Sequence, residues 1–182
     1  MLTLDLPTFP VLETERLRLR QTTLADAQAI FAMRSSAEVM QYIPVPLATA
    51  VKEAEDYIHS LHERMKNKEC INWTIVDKES GAVIGTMGFY RMQLQHYRTE
   101  TGYMLLPEFY GKGYATEALQ RLVDFGLNEL GFHSLEAVIY PENKGSIRVV
   151  EKCGFVREAY FKEKEYHNGT FVDTAIYSKL KN

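Results

Sequence analysis

The sequence has few cysteines and no long apolar run, and each shortage excludes a class of protein. Its two cysteines, Cys70 and Cys153, stand far apart, so neither a disulfide framework nor a CxxC metal or redox motif is expected. No apolar stretch approaches the roughly 20 residues needed to cross a bilayer. The N-terminal segment lacks the basic region and apolar core of a signal peptide. These absences predict a cytoplasmic protein with no membrane partner.

The sequence also lacks a block of basic residues. Lysine and arginine together number 21 against 24 acidic residues, which gives a formal net charge of −3. Nucleic-acid binding depends on clustered positive charge that neutralises phosphates, so no nucleic-acid partner is expected. A metal site is not expected either, because His59, His62 and Glu55 share a helix face without a further ligand.

Repeats, low-complexity tracts and linkers are absent, so residues 1–182 are expected to form a single domain. Hydrophobic periodicity predicts elements in the order β-α-α-β-β-β-α-β-α-β-β. This order mixes antiparallel hairpins with helical crossovers, which predicts an α/β (α+β) fold with a mixed, mostly antiparallel twisted sheet flanked by helices. The predicted strands are 15–20, 71–77, 82–91, 97–106, 134–140, 155–166 and 171–180, and the predicted helices are 23–34, 50–66, 114–130 and 144–152.

Turn and cap residues support several of these boundaries. Thr23 is placed to cap the first helix, and residues 78–81 (Lys-Glu-Ser-Gly) can form a hairpin turn. Asn168-Gly169 is a strong signal for a second hairpin turn. The inner face of the first helix is expected to carry Leu24, Ala27, Ile30 and Phe31.

Residues 103–118, Tyr-Met-Leu-Leu-Pro-Glu-Phe-Tyr-Gly-Lys-Gly-Tyr-Ala-Thr-Glu-Ala, form the most informative pattern. A strand ends near Leu106, and a Gly-Lys-Gly turn then begins a long helix. Gly111 and Gly113 permit backbone angles and close approaches that side chains would block. Amides at a helix start lack helical acceptors, and the helix dipole favours an anion there. With Lys112 adding positive charge, the unpaired amides of residues 110–116 predict a site for an anion, most naturally a diphosphate.

The glycines have a simpler interpretation, in which they only make a tight strand-to-helix turn. The pattern also differs from other phosphate motifs. It lacks the Gly-x-x-x-x-Gly-Lys-Ser/Thr of a P-loop, and Thr116 stands where the dinucleotide fingerprint has its third glycine. A bound phosphate is therefore expected to belong to neither an NTP nor a dinucleotide held in the usual mode.

The stretch Gly111-Lys-Gly-Tyr-Ala-Thr-Glu-Ala118 resembles the pyrophosphate loop of the GNAT acetyltransferase superfamily, Gln/Arg-x-x-Gly-x-Gly/Ala. Gly113 and Ala115 match its later positions, and Tyr110 stands where Gln or Arg is usual. Three more segments resemble the subgroup that acetylates the N-termini of ribosomal proteins. These are residues 12–20 (Leu-Glu-Thr-Glu-Arg-Leu-Arg-Leu-Arg), residues 143–155 (Asn-Lys-Gly-Ser-Ile-Arg-Val-Val-Glu-Lys-Cys-Gly-Phe) and residues 164–173 (Lys-Glu-Tyr-His-Asn-Gly-Thr-Phe-Val-Asp).

The resemblance implies a GNAT-like acyl-CoA N-acyltransferase fold and direct transfer of acetyl from acetyl-CoA to a primary amine. The acceptor would be a protein N-terminus, as in the ribosomal-protein subgroup, or a small amine such as a polyamine, an antibiotic or an amino acid. A non-catalytic acyl-CoA-binding module and a binder of another phosphate ligand are the alternatives. A homodimer through the late strands is considered as well.

The resemblance also assigns residues that bind the cosubstrate. The strand before the loop would bind the pantetheine arm through its backbone, with an amide near Met104 or Leu105 facing the thioester oxygen. Asn143 would bind the pantetheine amide, or it only caps the helix that follows. The complete predicted set is Tyr103, Met104, Leu105, Tyr110, Gly111, Lys112, Gly113, Tyr114, Ala115, Thr116, Asn143 and Ser146.

Three residues are candidates for the chemistry. Ser146 would donate a hydrogen bond to the departing thiolate, or it is a small polar residue at a helix start. Glu165 is preferred for handling the acceptor amine, and Glu100 is the second candidate; either carboxylate could instead be solvated or paired. Neither cysteine is expected to act as a covalent nucleophile.

Overall fold

The computed structural model describes residues 1–167 and 169–181, and in that part of the chain helices lie on both faces of one eight-stranded sheet. The strands are β1 (Leu12–Glu13), β2 (Leu17–Gln21), β3 (Ile71–Asp77), β4 (Val83–Gln93), β5 (Arg98–Leu105), β6 (Ser134–Ile139), β7 (Val156–His167) and β8 (Thr170–Leu180). The helices are α1 (Ala27–Arg34), α2 (Ala37–Met40), α3 (Val51–Lys66), α4 (Tyr114–Asp124) and α5 (Lys144–Lys152).

The predicted fold class is confirmed. The strands lie in the order β1-β2-β3-β4-β5-β6-β8-β7, and within the described chain only β5 and β6 pair in parallel. The turn at residues 78–81 joins β3 to β4, and Gly81 has the positive φ of 71° that such a turn needs. β7 and β8 pair antiparallel as expected, although Asn168 of the predicted Asn168-Gly169 turn lies outside the described residues.

The sheet opens between β5 and β6. These strands pair only at Arg98↔Ser134, Thr99↔Leu135 and Glu100↔Glu136. Beyond this point β5 stays paired with β4 as far as Leu105, and β6 stays paired with β8 as far as Ile139. A gap therefore lies inside the sheet between two well-bonded halves.

Each face of the sheet has its own apolar core. On one face, α1 and α3 pack through their own side chains, which include Ile30, Met33 and Ile58, with Met104 of β5 against them. On the other, α4 packs over a larger cluster centred on Trp73, whose ring lies 5.8 Å from the rings of both Phe89 and Phe125. Edge-to-face rings at this separation attract each other beyond their burial. These two cores hold the sheet rigid around the gap.

Local structure corrects three expectations. Leu24–Asp26 form a 3-10 turn before α1, so Leu24 does not lie on the inner face of that helix and its side chain is 49% exposed. The predicted helix 114–130 changes at Phe125–Glu129 to a π turn, in which the Leu130 amide donates to the Phe125 carbonyl. The short helix α2 was not predicted, because four residues are too few to show a helical period.

A buried carboxylate fixes the start of α1. Asp26 is almost completely buried, and Arg20 donates to both of its oxygens at 2.8 and 2.6 Å. The Thr23 amide also donates to Asp26, at 2.8 Å, which closes a capping box. Burial acts to raise the pKa of Asp26, but the hydrogen bonds from Arg20 and Thr23 outweigh it and the pKa is lowered.

Asp26→Asn is predicted to lower the free energy of unfolding by about 3 kcal/mol at pH 7, since it leaves Arg20 without its buried partner. The folded-state pKa of Asp26 lies below the unfolded value, so the carboxylate stabilises the fold above about pH 4 and this contribution is lost as the pH falls further. The difference between wild type and variant should therefore shrink in acid, measured by urea unfolding from pH 7 to pH 3. Glu13→Gln, which affects the exposed pairs with Arg18 and Lys78, is the control and should change stability little.

Candidate active site

The two edges of the gap between β5 and β6 present unpaired backbone groups. The Leu106 amide donates to the Ile84 carbonyl of the neighbouring segment, at 2.9 Å. Since hydrogen-bonded positions alternate along an antiparallel pair, Met104 directs its backbone groups to β4, while Tyr103 and Leu105 direct theirs into the gap. The gap thus has free N–H and C=O groups where an extended, strand-like ligand can pair.

This alternation separates the three residues predicted to bind the pantetheine arm. Tyr103 and Leu105 have the backbone orientation that the prediction requires. Met104 does not, and its side chain packs with the core under α1 and α3. Of these two amides, only that of Leu105 therefore points into the gap.

Two hydroxyl groups meet across the gap. Tyr103 on β5 and Ser146 on α5 have their side-chain oxygens 3.1 Å apart, and either hydroxyl can donate. Burial raises the pKa of Tyr103 above its ordinary value, with the Ser146 hydrogen bond acting in the opposite direction. The phenol is therefore protonated at neutral pH and can donate to Ser146, which leaves the serine proton free for another acceptor.

The start of α5 places Ser146 at this position. The Asn143 side chain accepts a hydrogen bond from the Ser146 amide at 3.0 Å, which makes Asn143 the N-cap of the helix. Capping occupies the side-chain oxygen of Asn143 and leaves its side-chain NH2 group able to bind a ligand. Both roles that the sequence suggested for Asn143 are thus compatible.

The Gly-Lys-Gly turn leads into α4 as predicted. Gly111 and Gly113 have positive φ values of 72° and 83°, and Gly113 is the N-cap of α4 with no side chain capping the helix. A Cβ atom built on Gly111 would meet nothing within 4 Å, so the turn is open and is not filled by its own side chains. The first-turn amides of Tyr114, Ala115 and Thr116 lie where a helix has no internal acceptors.

One end of the predicted set of unpaired amides is corrected. The Tyr110 amide donates to the Pro107 carbonyl at 3.0 Å, because residues 107–109 form a 3-10 turn. This amide is therefore not available to an anion. The open set begins after Tyr110, and the Lys112 side chain lies exposed beside it, over the Phe109 ring.

Sequence reasoning missed two residues that contact the loop. Arg16, just before β2, donates to the Lys112 carbonyl at 3.0 Å and forms an ion pair of 2.6 Å with Glu117 of α4. Both residues fall in segments that carried the family resemblance, 12–20 and 111–118. The sequence offers one indication of this contact, the opposite charges of Arg16 and Glu117 in these two motifs. Opposite charge does not by itself predict a contact between residues so far apart in sequence.

Glu100 lies on the opposite face of the sheet from Tyr103, at the point where β5 and β6 stop pairing. Its carboxylate accepts a hydrogen bond from Arg91 at 2.7 Å. Burial raises the pKa of Glu100, the Arg91 charge opposes this, and the charges of Glu136 and Glu165 add to the rise. The alternative expectation of a paired glutamate therefore holds for Glu100, although its carboxyl group remains at the mouth of the gap.

Glu165 lies on the same face, on β7. The buried Tyr140 donates its hydroxyl to Glu165 at 2.7 Å. Burial raises the pKa of Tyr140, and the hydrogen bond to Glu165 raises it further, so the phenol stays protonated and remains a donor. In the part of the chain that the structure describes, no lysine or arginine forms an ion pair with Glu165.

The segment after α2 contacts the end of β7 and the loop before α5. The Gln41 carbonyl lies 3.3 Å from His167 Nε2 at the end of β7, and the Tyr42 hydroxyl lies 3.5 Å from the Glu142 carbonyl before α5. These contacts bring the early helices to the late hairpin. The early helical region and the closing hairpin thus bound a groove beside Glu165.

Neither cysteine is arranged as a nucleophile. Cys70 and Cys153 are buried, and burial raises the pKa of Cys153 to about 11 and that of Cys70 above its usual value. A thiol that stays protonated at neutral pH is a poor nucleophile. Among residues 1–167 and 169–181, no three His, Cys, Asp or Glu side chains form a group able to hold a metal ion. Over the same residues, every helix is too short or too polar to cross a bilayer.

Comparison with known proteins gives the family of the chain. The family model described as the acetyltransferase (GNAT) domain matches residues 16–156. The uncharacterized N-acetyltransferase YoaA of Bacillus subtilis is 37% identical over 173 residues, which are 95% of this chain and 98% of that protein.

Two solved structures share the fold. A ribosomal-protein-S5-alanine acetyltransferase from Vibrio fischeri has a TM-score of 0.84 at 24% identity, covering 95% of this chain and 97% of the other. A spermidine N-acetyltransferase from Vibrio cholerae, solved with CoA and spermine, has a TM-score of 0.82 at 22% identity, covering 92% and 97%. At these identities the likeness establishes the fold alone. The family match and the close relative together show that the chain belongs to the GNAT acetyltransferase family and is an N-acetyltransferase.

Proposed function

We propose that this protein transfers an acetyl group from acetyl-CoA directly to a primary amine, within the gap between β5 and β6. One observation supports this most strongly: the gap has hydroxyl groups on one face of the sheet and carboxylates on the other. Acetyl-CoA supplies the acetyl thioester. The amine nitrogen forms a bond to the thioester carbonyl carbon, and the carbon–sulfur bond breaks to release CoA. The residues of the chain hold the donor, accept a proton from the ammonium and donate a hydrogen bond to the leaving thiolate.

The donor side comprises the loop, β5 and α5. The amides of residues 111–116 and the Lys112 side chain would hold the diphosphate, and the free backbone groups of Tyr103 and Leu105 would pair with the pantetheine arm. The Leu105 amide is the candidate donor to the thioester oxygen, and such donors contribute roughly 100- to 1,000-fold in rate. Ser146 would donate to the sulfur, with Tyr103 donating to Ser146 in turn.

The acceptor side is the groove that contains Glu165 and Glu100. Glu165 is the preferred base, because it has no cation partner among the described residues and a phenol holds its carboxylate in place. Glu100 is paired with Arg91 and is the second candidate. Burial raises the pKa of both cysteine thiols, which supports direct transfer without an acyl-cysteine step.

A protein N-terminal amine is the acceptor that we propose. The hairpin that carries Glu165 exposes Tyr166 and Phe171 on its other face, where their rings meet edge to face at 5.1 Å and the two residues are 66% and 62% exposed. A peptide that passes from Glu165 around the edge strand β7 would cover these rings, whereas a small amine would leave them in water. A polyamine is the second candidate, because Glu100, Glu136 and Glu165 are close enough for their charges to interact. The homodimer and the cytoplasmic location stay predictions of the sequence.

Replacing the donor-side hydroxyls tests the leaving-group assignment. Ser146→Ala is predicted to lower kcat about 100-fold, because one donor to a developing charge is lost, and to leave the KM for acetyl-CoA nearly unchanged. Tyr103→Phe should lower kcat less, about tenfold, since Ser146 keeps its own hydroxyl. Initial rates of thiol release measure both. Wild-type kcat in Ser146→Ala would contradict the assignment and favour a non-catalytic role for this helix start.

Replacing the carboxylates distinguishes the two candidate bases. Glu165→Gln is predicted to lower kcat/KM for the amine about 100-fold. Glu100→Gln should keep most of the rate and move the acidic limb of the pH–rate profile to lower pH, because a negative neighbour is removed and Arg91 loses its partner. Profiles from pH 5 to pH 9 measure both effects. The opposite ranking of the two variants would make Glu100 the base.

An acceptor panel tests the substrate class. Peptides with an N-terminal serine or alanine, spermidine and free amino acids are incubated with the protein and acetyl-CoA, with thiol release and acceptor mass both measured. The peptides are predicted to show the highest kcat/KM, and Tyr166→Ala with Phe171→Ala should reduce that value without affecting spermidine. Preferential acetylation of spermidine would establish the second candidate instead. Tight CoA binding with no acetylated product would favour a non-catalytic acyl-CoA-binding module.

A further inference from the structure

Arg16 connects the first strands of the sheet to the Gly-Lys-Gly turn. Its guanidinium group donates to the Lys112 carbonyl at 3.0 Å and lies 4.4 Å from the centre of the Tyr114 ring. These contacts place one cation against both ends of the turn, on the peptide that precedes Gly113 and on the first residue of α4.

Glu117, one turn into α4, holds Arg16 in this position. One carboxylate oxygen of Glu117 accepts from the Thr14 hydroxyl at 2.6 Å and from the Arg16 amide at 2.9 Å. The other accepts from Arg16 Nε at 2.6 Å and lies 2.6 Å from Nη2. Burial acts to raise the pKa of Glu117, but hydrogen bonds from Thr14 and Arg16 outweigh it and the pKa is lowered. The pair is therefore ionised at neutral pH, and its paired donors set a fixed geometry.

The contact between Arg16 and the Lys112 carbonyl determines how the peptide group between Lys112 and Gly113 is oriented. In a trans peptide the C=O and the following N–H point in opposite directions. Because Arg16 holds the Lys112 carbonyl on the inner side of the turn, the Gly113 amide points away from Arg16, towards the open side. Gly113 keeps this orientation with a φ of 83°, a conformation that a side chain would disfavour.

We infer that Arg16 and Glu117 are positioning residues for the cosubstrate: they fix the Gly111–Gly113 turn so that its amides face the diphosphate. The inference rests on the proposed function only in taking that diphosphate to belong to acetyl-CoA. Arg16 acts through the backbone of the turn, so its loss weakens recognition of the diphosphate and not of the pantetheine arm. An Arg16 that served the fold alone would show no such selectivity between parts of the ligand.

The test is calorimetric binding of CoA, and of pantetheine, which has the same arm but lacks the diphosphate and the 3′-phosphoadenosine attached to it. Arg16→Lys keeps the positive charge but loses the planar guanidinium group with its several N–H donors. It is expected to weaken CoA binding about tenfold. Pantetheine affinity and kcat at saturating acetyl-CoA should stay within about twofold of wild type. Glu117→Gln should give the same pattern and replaces Arg16→Lys if that variant does not fold. Arg18→Lys, two residues away on β2, changes only the exposed partner of Glu13; it is the control and should bind both ligands as wild type does.

Two results would overturn the inference: unchanged CoA affinity in both variants, or an equal loss of CoA and pantetheine binding. The outcome is separate from that of the proposed function. A wild-type protein that binds CoA but acetylates no amine would refute the proposed function, while the difference between CoA and pantetheine would still decide the role of Arg16.

Discussion

The site depends on the loss of pairing between β5 and β6 after Glu100 and Glu136. A continuous sheet would satisfy every backbone group of Tyr103 and Leu105 and leave nothing for a ligand to bind. Here each strand keeps its outer neighbour, so the two edges are held apart by rigid halves of the sheet. Unpaired backbone groups in a protein interior are costly, and a ligand that pairs with them in an extended conformation removes that cost. The break in the ladder is therefore the feature on which the proposed binding site depends.

The pleat of β5 divides the chemistry between the two faces of the sheet. Successive side chains on a strand point to opposite faces, so Tyr103 reaches Ser146 on the α5 side while Glu100 lies on the α1 and α3 side. Proton donors and carboxylates are thus kept apart by the thickness of the sheet and meet only through the gap. Both phenols near the site stay protonated because burial raises their pKa. Tyr140 hence donates to Glu165 on one face, and Tyr103 can donate to Ser146 on the other.

Much of the fold could be predicted because its signals are local. The bounds 71–77 and 144–152 agree with β3 and α5, since an apolar strand sequence marks the first and the Asn143 cap and Gly154 mark the second. Leu24 and the end of α4 could not be placed in this way. A 3-10 turn, a π turn and an α-helix differ in how far back along the chain the carbonyl lies that accepts each amide. The periodicity of apolar residues does not indicate which carbonyl this is. In the second case Gly126, which packs against the Phe89 ring, is the one hint in the sequence.

The site residues show the same division between local and long-range information. Ser146, Asn143 and the two loop glycines could be named because motifs preserve their immediate neighbourhood. The contacts that give them their geometry join residues distant in sequence, such as Tyr103 with Ser146 and Arg16 with Glu117. Such contacts follow from strand order and register, which are set by the whole sheet and not by any one segment. Two motifs far apart in the family pattern, residues 12–20 and 111–118, lie together in the folded chain around the turn at Gly113. The resemblance therefore extends to residues 12–20 for a physical reason: Thr14 and Arg16, between the first two strands, hold the helix that follows the loop and the loop itself in place.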